Sequence, residues 1–208
     1  MLIRNATAIM TGLPGDKARA SGSDIRIDRA GRIGAIGRLT PETDERVVDA
    51  TNCVVYPGWV NTHHHLAQSV LKGIPQGINV PLMSWLESVP YRYRARFDPQ
   101  LLELAAEIGI AQLLVSGCTT IADHHYVYWK GIDYDPGKVL FDVAARFGVR
   151  LVLCRGGSTL KRPFESPDSP PPETVDLIVG DVERLTAKYH DAGGEAMRRV
   201  VLAPPTPN

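Results

Sequence analysis

Apolar and polar positions divide the chain into two regimes. In the first, residues 1–52, the alternation has period two. Ser23-Asp24-Ile25-Arg26-Ile27-Asp28 alternates along its length, Arg29-Ala30-Gly31 supplies a turn, and Ile33 to Ile36 resumes the pattern. This predicts a β-hairpin with a glycine in its connection. Residues 11–23 and 38–46, rich in Gly, Ser, Pro and charge, read as loops. A few short strands do not close a core alone, so this segment is expected to pack on something else.

From Cys53 the pattern changes to strand, helix, strand, helix. The apolar run Cys53 to Val60 predicts a short buried strand. Asp98-Pro99 predicts a helix start, with aspartate as N-cap and proline in the first turn. Leu101, Leu104, Ala105, Ile108, Ala111 and Leu114 then recur at helical spacing until Gly117. Cys118 to Ala122 reads as a buried strand ending in Asp123-His124-His125. Val139, Leu140, Val143, Ala144 and Phe147 mark a second helix, stopped by Gly148. Val149 to Cys154 is the next strand, ending at Arg155-Gly156-Gly157. A helix through Val175, Ile178, Val179, Val182 and Leu185 precedes a last strand, Arg199 to Ala203, which runs into Pro204-Pro205.

Four strands separated by helices imply a parallel sheet. An open doubly wound sheet and part of a (β/α)₈ barrel both fit. The polar residues favour the barrel, because His63/His65, Asp123/His124 and Arg155 each follow a strand and would gather on the face where barrel active sites lie. An open sheet would carry a glycine-rich phosphate loop after its first strand, which this sequence lacks. The predicted fold class is therefore α/β: the N-terminal half of a (β/α)₈ TIM-like barrel over residues 53–208, preceded by strands of a small β-sandwich over residues 1–52.

Composition changes this picture little. With 208 residues, 44% hydrophobic and 22% charged, and 23 basic against 23 acidic side chains, the chain is an ordinary globular mixture. Zero formal charge gives no support to a nucleic-acid or membrane partner. No segment approaches a membrane span, and Met1-Leu2-Ile3-Arg4-Asn5-Ala6-Thr7 lacks the regions of a signal peptide, so a cytoplasmic protein is expected. Cys53, Cys118 and Cys154 each adjoin an apolar run and read as buried, reduced thiols.

The candidate chemistry begins at His63-His64-His65. Residues i and i+2 of a strand share a side, so His63 and His65 project together while His64 faces away. Two adjacent imidazoles are half of a site for a borderline cation such as Zn²⁺, although a polar loop would also accommodate such a run.

The surrounding residues resemble the amidohydrolase superfamily, in its branch of purine, pterin and triazine aminohydrolases. Pro57-Gly58-Trp59-Val60-Asn61-Thr62-His63-His64-His65-Leu66-Ala67-Gln68 resembles that branch's first-strand motif P-G-x-V-N-x-H-x-H-x-x-Q. Asp24 to Gly37 and Val48-Asp49-Ala50 are similar to its N-terminal β-sandwich strands. Ser116-Gly117-Cys118-Thr119-Thr120 with Asp123 is similar to its second barrel strand. Arg155-Gly156-Gly157-Ser158 resembles the third strand's end in the 8-oxoguanine and isoxanthopterin deaminase group.

The resemblance implies hydrolytic deamination of a small heterocycle (8-oxoguanine, isoxanthopterin, guanine or cytosine type) by a metal-dependent enzyme, a homo-oligomer when complete. His63 and His65 match the first two ligands of a divalent metal, zinc or iron. Gln68 matches a residue that bonds the heterocycle, Trp85 falls where the family covers its substrate, and Arg155 resembles a group that recognises a substrate carbonyl. From the residues alone, Gln68 also reads as a solvated helix residue, Trp85 more often as core, and Arg155 equally as a surface salt-bridge partner. Asp123 and His124 read as strand-end hydrogen-bonding residues or substrate contacts. Gly156 to Pro172 reads as a mobile lid or a long surface loop.

The family's later histidines, its catalytic glutamate and its metal-binding aspartate have no match before Asn208; His190 falls at the end of a helix. The catalytic Glu and Asp are expected beyond this chain, which alone is expected to be inactive. A split-barrel subunit or a non-catalytic interaction module is the alternative. Metal-dependent phosphoesterases also begin with His-x-His, but at the start of the chain and with different flanking residues.

Overall fold

The computed structural model describes residues 1–162, 165 and 169–204. The chain forms two compact units, Met1–Gly58 and Trp59–Asn208. The division therefore falls at Gly58, six residues after the boundary that the hydrophobic pattern suggests.

The first unit contains β1 (Leu2–Arg4), β2 (Ala8–Ile9), β3 (Asp24–Ile27), β4 (Ile33–Gly37), β5 (Val47–Asp49) and β6 (Val54–Val55). One sheet has the order β4-β3-β1-β5, and β2 pairs with β6 in a second. The hairpin β3–β4 is antiparallel as expected, with Ile25 opposite Ile36. Its turn is closed by Asp28, whose Oδ1 accepts the amides of Ala30 (2.8 Å) and Arg32 (2.9 Å), while Gly31 takes φ +80°. Ala6, Ile9, Ile25 and Ala50 form a small core of this unit's own.

The second unit runs β7 (Trp59–His64), α1 (Leu82–Leu86), α2 (Pro99–Val115), β8 (Cys118–His125), α3 (Pro136–Phe147), β9 (Arg150–Arg155), α4 (Val175–Tyr189) and β10 (Arg198–Leu202). Its sheet is parallel throughout, in the order β10-β9-β8-β7. The three long helices start where side chains can accept their first free amides. Asp98 accepts from Leu101, Asp135 from Lys138 and Thr174 from Leu177. Gly148 ends α3 in the left-handed conformation, φ +68°. A 3₁₀ helix, Leu66–Leu71, follows β7. Leu66, Leu102, Ile110, Ile121, Leu140, Leu151 and Leu153 are among the buried residues of the core.

Two expectations change. The apolar run beginning at Cys53 is two strands: Val54–Val55 pairs with β2, and Trp59–His64 pairs with β8. His63 and His64 thus lie inside a strand, with His65 just beyond it. Cys118 and Cys154 are buried free thiols, whereas Cys53 is exposed because it sits in the turn before β6 and not within a core strand. Of the 156–172 segment, residues 163, 164 and 166–168 lie outside the described residues, as do Pro205 and Pro207 after the last strand. Among the described residues, no helix is long and apolar enough to cross a membrane.

Candidate metal centre

Register decides which side chains meet. Along β8, Ile121, Asp123 and His125 are buried, while Thr120, Ala122 and His124 between them are only half-buried. The first set faces the helices and the second the opposite side of the sheet. Cα partners in a parallel pair share a face. His64 partners Asp123, which turns it toward the helices and leaves His63 and His65 beside His124. The rings confirm this: His63 and His65 lie with centroids 5.0 Å apart at 84°, and His63 lies 4.4 Å from His124.

The chemistry of the pair fits a metal ligand set. His65 Nδ1 donates to the main-chain oxygen of His124 at 2.6 Å. Its partner is a carbonyl, so Nδ1 carries the proton and Nε2 carries the lone pair that a cation needs. Burial lowers the His65 pKa below the ordinary histidine value, which favours the neutral ring. Imidazole nitrogen suits zinc and iron alike. Among the described residues, no group of three or more His, Cys, Asp or Glu is arranged to hold a metal.

Gln68 lies on the 3₁₀ helix that begins immediately after His65. Its Nε2 donates to Tyr126 Oη at 3.0 Å, and the same tyrosine ring meets His65 edge to face at 5.3 Å. Burial pushes the Tyr126 hydroxyl's pKa well up, so it remains a neutral phenol. Tyr91 stacks on Tyr126 at 5.9 Å. Gln68 and the half-buried Trp85 line one cleft of about 180 Å³, with Leu71, Lys72, Ile74 and Val89. Gly77 permits this packing, because a Cβ there would come within 2.6 Å of Val89 Cγ2 and 3.0 Å of Trp85 Cδ1.

Arg155 is placed elsewhere. It partners His125, not His124, so it turns to the helix side, where it is 2% exposed. Nη1 and Nη2 form a fork on Glu173 (2.8 and 2.6 Å), Nε donates to Asp181 at 3.0 Å, and Nη1 also reaches Gly156 O. The guanidinium covers the Tyr128 ring at 3.8 Å. The observed geometry is that of an ion-pair centre, buried and not at the surface. The structure thus joins His65, with His63 at its side, to Gln68 through Tyr126, sets Trp85 in the same cleft as Gln68, and leaves Arg155 apart.

Sequence reasoning did not single out Tyr126 or Tyr91. The available signal was that Tyr126 directly follows Asp123-His124-His125 at a strand end. Asp123, expected either to bond the strand end or to contact substrate, is fully buried and accepts the Leu66 amide through Oδ1 at 2.7 Å.

Comparison with known proteins supplies the wider frame. The amidohydrolase family model matches residues 54–207. An isoxanthopterin deaminase from an unknown prokaryotic organism is 54% identical over 99% of this chain and 43% of its own length. An 8-oxoguanine deaminase of Pseudomonas aeruginosa is 37% identical over 99% of this chain and 45% of its own. Among solved structures, an amidohydrolase from a Sargasso Sea environmental sample superposes with TM-score 0.82 at 50% identity, over 98% of this chain and 45% of that one. An atrazine chlorohydrolase of Arthrobacter aurescens TC1, complexed with zinc, gives TM-score 0.82 at 29% identity, over 98% and 46%. The chain spans less than half the length of these relatives. With a family model matched across the whole parallel sheet and its paired histidines, the chain belongs to the amidohydrolase family.

Proposed function

We propose that this chain is the N-terminal half of a (β/α)₈ barrel whose complete form hydrolytically deaminates an amino-oxo heterocycle, with His63 and His65 as the first two ligands of a zinc or iron ion. The observation that carries the reading is the pairing of His63 with a His65 whose Nδ1–H is held by His124 O. The likeness to an isoxanthopterin deaminase and an 8-oxoguanine deaminase supports the substrate class.

A divalent cation bound there would supply Lewis acidity for hydrolysis of the C–N bond. The chain's own residues bind and orient. Because Tyr126 takes the Gln68 amide hydrogen, Gln68 Oε1 is the atom turned to accept from a ring N–H, and Trp85 flanks it across the cleft. The remaining ligands and the proton-transferring carboxylates come, in this reading, from polypeptide outside these 208 residues. Strands β7 and β10 are the edges on which the barrel would continue.

The test is elemental analysis of the dialysed 208-residue protein beside His63→Ala/His65→Ala. Metal present in the first and lost in the second supports the site, and metal bound in equal amount by both defeats it. Deamination of amino-oxo purines or pterins is then expected only when the second half is supplied. Turnover by the 208 residues alone would defeat the division of labour.

A further inference from the structure

We infer that Asp123 is a positioning residue for His65, acting through the backbone of Leu66 and touching neither metal nor substrate. The inference rests on the reading of His63 and His65 as ligands. The chain leaves β7 at His64 and turns into the 3₁₀ helix Leu66–Leu71, whose N-cap is His65 (φ −132°, ψ 89°) with no side-chain cap of its own. The first amides of a helix have no partner within it. Strand β8 supplies the missing acceptor, Asp123 Oδ1, at 2.7 Å from Leu66 N. The next residue of the same strand, His124, accepts the ring proton of His65 through its main-chain oxygen. Two consecutive residues of β8 thus hold His65 at its ring and at the peptide bond that follows it.

The acceptor is a carboxylate with 0% exposure. Burying a carboxylate is costly, and an uncharged side chain would serve an ordinary strand-end hydrogen bond. A charged acceptor makes a shorter and stiffer bond, which suits a ligand whose ring has to be held on target. Behind it, Asp123 Oδ2 is buried with no hydrogen-bond partner among the described residues, 3.4 Å from Nδ1 of His125, itself 1% exposed. Gln68 shares the benefit, because its own amide donates to His65 O at 2.9 Å, one turn into the same helix.

The experiment measures Zn²⁺ affinity of the 208-residue chain by competition with a chromogenic chelator, together with hydrogen exchange of the Leu66 amide. Asp123→Ala is expected to bind Zn²⁺ about 10–100-fold more weakly, the usual consequence of removing an outer partner of a ligand. Asp123→Asn, which keeps an acceptor oxygen but loses the charge, recovers only part of that loss. The Leu66 amide exchanges fast in the alanine variant and stays protected in the asparagine variant. The wild-type chain gives a test that needs no variant. By reciprocity, a bond that favours Zn²⁺ binding is itself favoured by Zn²⁺, so loading raises Leu66 protection relative to β9 amides. Unchanged protection on loading, or wild-type affinity in a folded Asp123→Ala, overturns the inference alone. A wild-type chain that binds no Zn²⁺ even when the second half of the barrel is supplied overturns the ligand reading, and this inference with it.

Discussion

His65 and Tyr126 meet edge to face with ring centroids 5.3 Å apart, and the same tyrosine oxygen accepts the Gln68 amide at 3.0 Å. One side chain at the end of β8 therefore joins the candidate ligand just after β7 to the cleft that Gln68 shares with Trp85. The link is made across strands, by a residue 58 positions from Gln68 in sequence. It fixes the amide's orientation: with Nε2 committed to Tyr126, Oε1 is the free acceptor.

Tyr126→Phe removes that acceptor and leaves the ring packing in place. The expected loss is about 1 kcal/mol of stability, the net worth of a partly buried hydrogen bond. In a double-mutant cycle with Gln68→Ala, measured by urea denaturation, the two changes should couple by about 0.5–1.5 kcal/mol. Strict additivity would show that the pair does not interact in solution.

Arg155 gives a larger and more discriminating prediction. Its side chain is 2% exposed and that of Glu173 5% exposed, so Arg155→Met strands a carboxylate in the interior. Such a break costs about 3–5 kcal/mol, and pairing it with Glu173→Met should return most of the loss. Guanidinium denaturation of the single and double variants checks both statements. A residue serving only to contact substrate would leave stability unchanged on truncation.

The contrast between α2 and Arg155 shows what the sequence can reveal. The start of α2 was legible because its determinants are local: Asp98 Oδ1 accepts Leu101 N at 2.7 Å, and Pro99 needs no amide partner. The hairpin β3–β4 was legible for the same reason. The apolar run from Cys53 was misread as one strand because alternation does not say which strand is the partner, although Pro57, with no N–H to donate, sits where the run divides. For Arg155, being at a strand end was readable, but facing the helices was not. One residue of parity separates the His124 face from the His125 face, and only cross-strand register sets it. The roles of Asp123 and Tyr126 are set by register in the same way.

Acid should loosen the N-terminal unit through two carboxylates. Hydrogen bonds from Arg26 hold the Glu45 carboxyl down to about 2, and the amides of Leu39 and Asn5 hold Asp24 below its ordinary value. Both folded values lie below the unfolded ones, about 3.9 for Asp and 4.3 for Glu. Their stabilisation is therefore complete above roughly pH 5 and is lost as pH falls through the folded values toward about 2. The protection factors of the Ile25 and Ile36 amides, corrected for intrinsic exchange, should fall over that window when followed from pH 5 downward. Asp24→Asn and Glu45→Gln should each flatten the dependence while lowering protection at pH 5.

Gly109 sets two physical tendencies against each other. It lies inside α2, where replacing glycine by alanine ordinarily adds about 0.5–1 kcal/mol of stability. A Cβ at this position would stand 2.5 Å from Ser69 Oγ and 2.8 Å from Leu66 Cδ2, both on the 3₁₀ helix that follows His65. Overpacking of this kind costs about 1–3 kcal/mol, so Gly109→Ala should be destabilising by about 1–2 kcal/mol despite its better helix propensity. Ser69 Oγ is buried without a hydrogen-bond partner among the described residues, so Ser69→Ala should cost little alone and should relieve much of the clash in the double variant. What remains is the push on Leu66, the residue whose amide Asp123 holds. Displacing it moves His65, so Gly109→Ala is expected to weaken Zn²⁺ binding as well as stability, and Ser69→Ala to restore stability more completely than affinity. Thermal denaturation and chelator competition on the four proteins of the cycle measure the two effects separately. Full recovery of both by Ser69→Ala would place the clash at the serine alone and detach α2 from the geometry of the histidine pair.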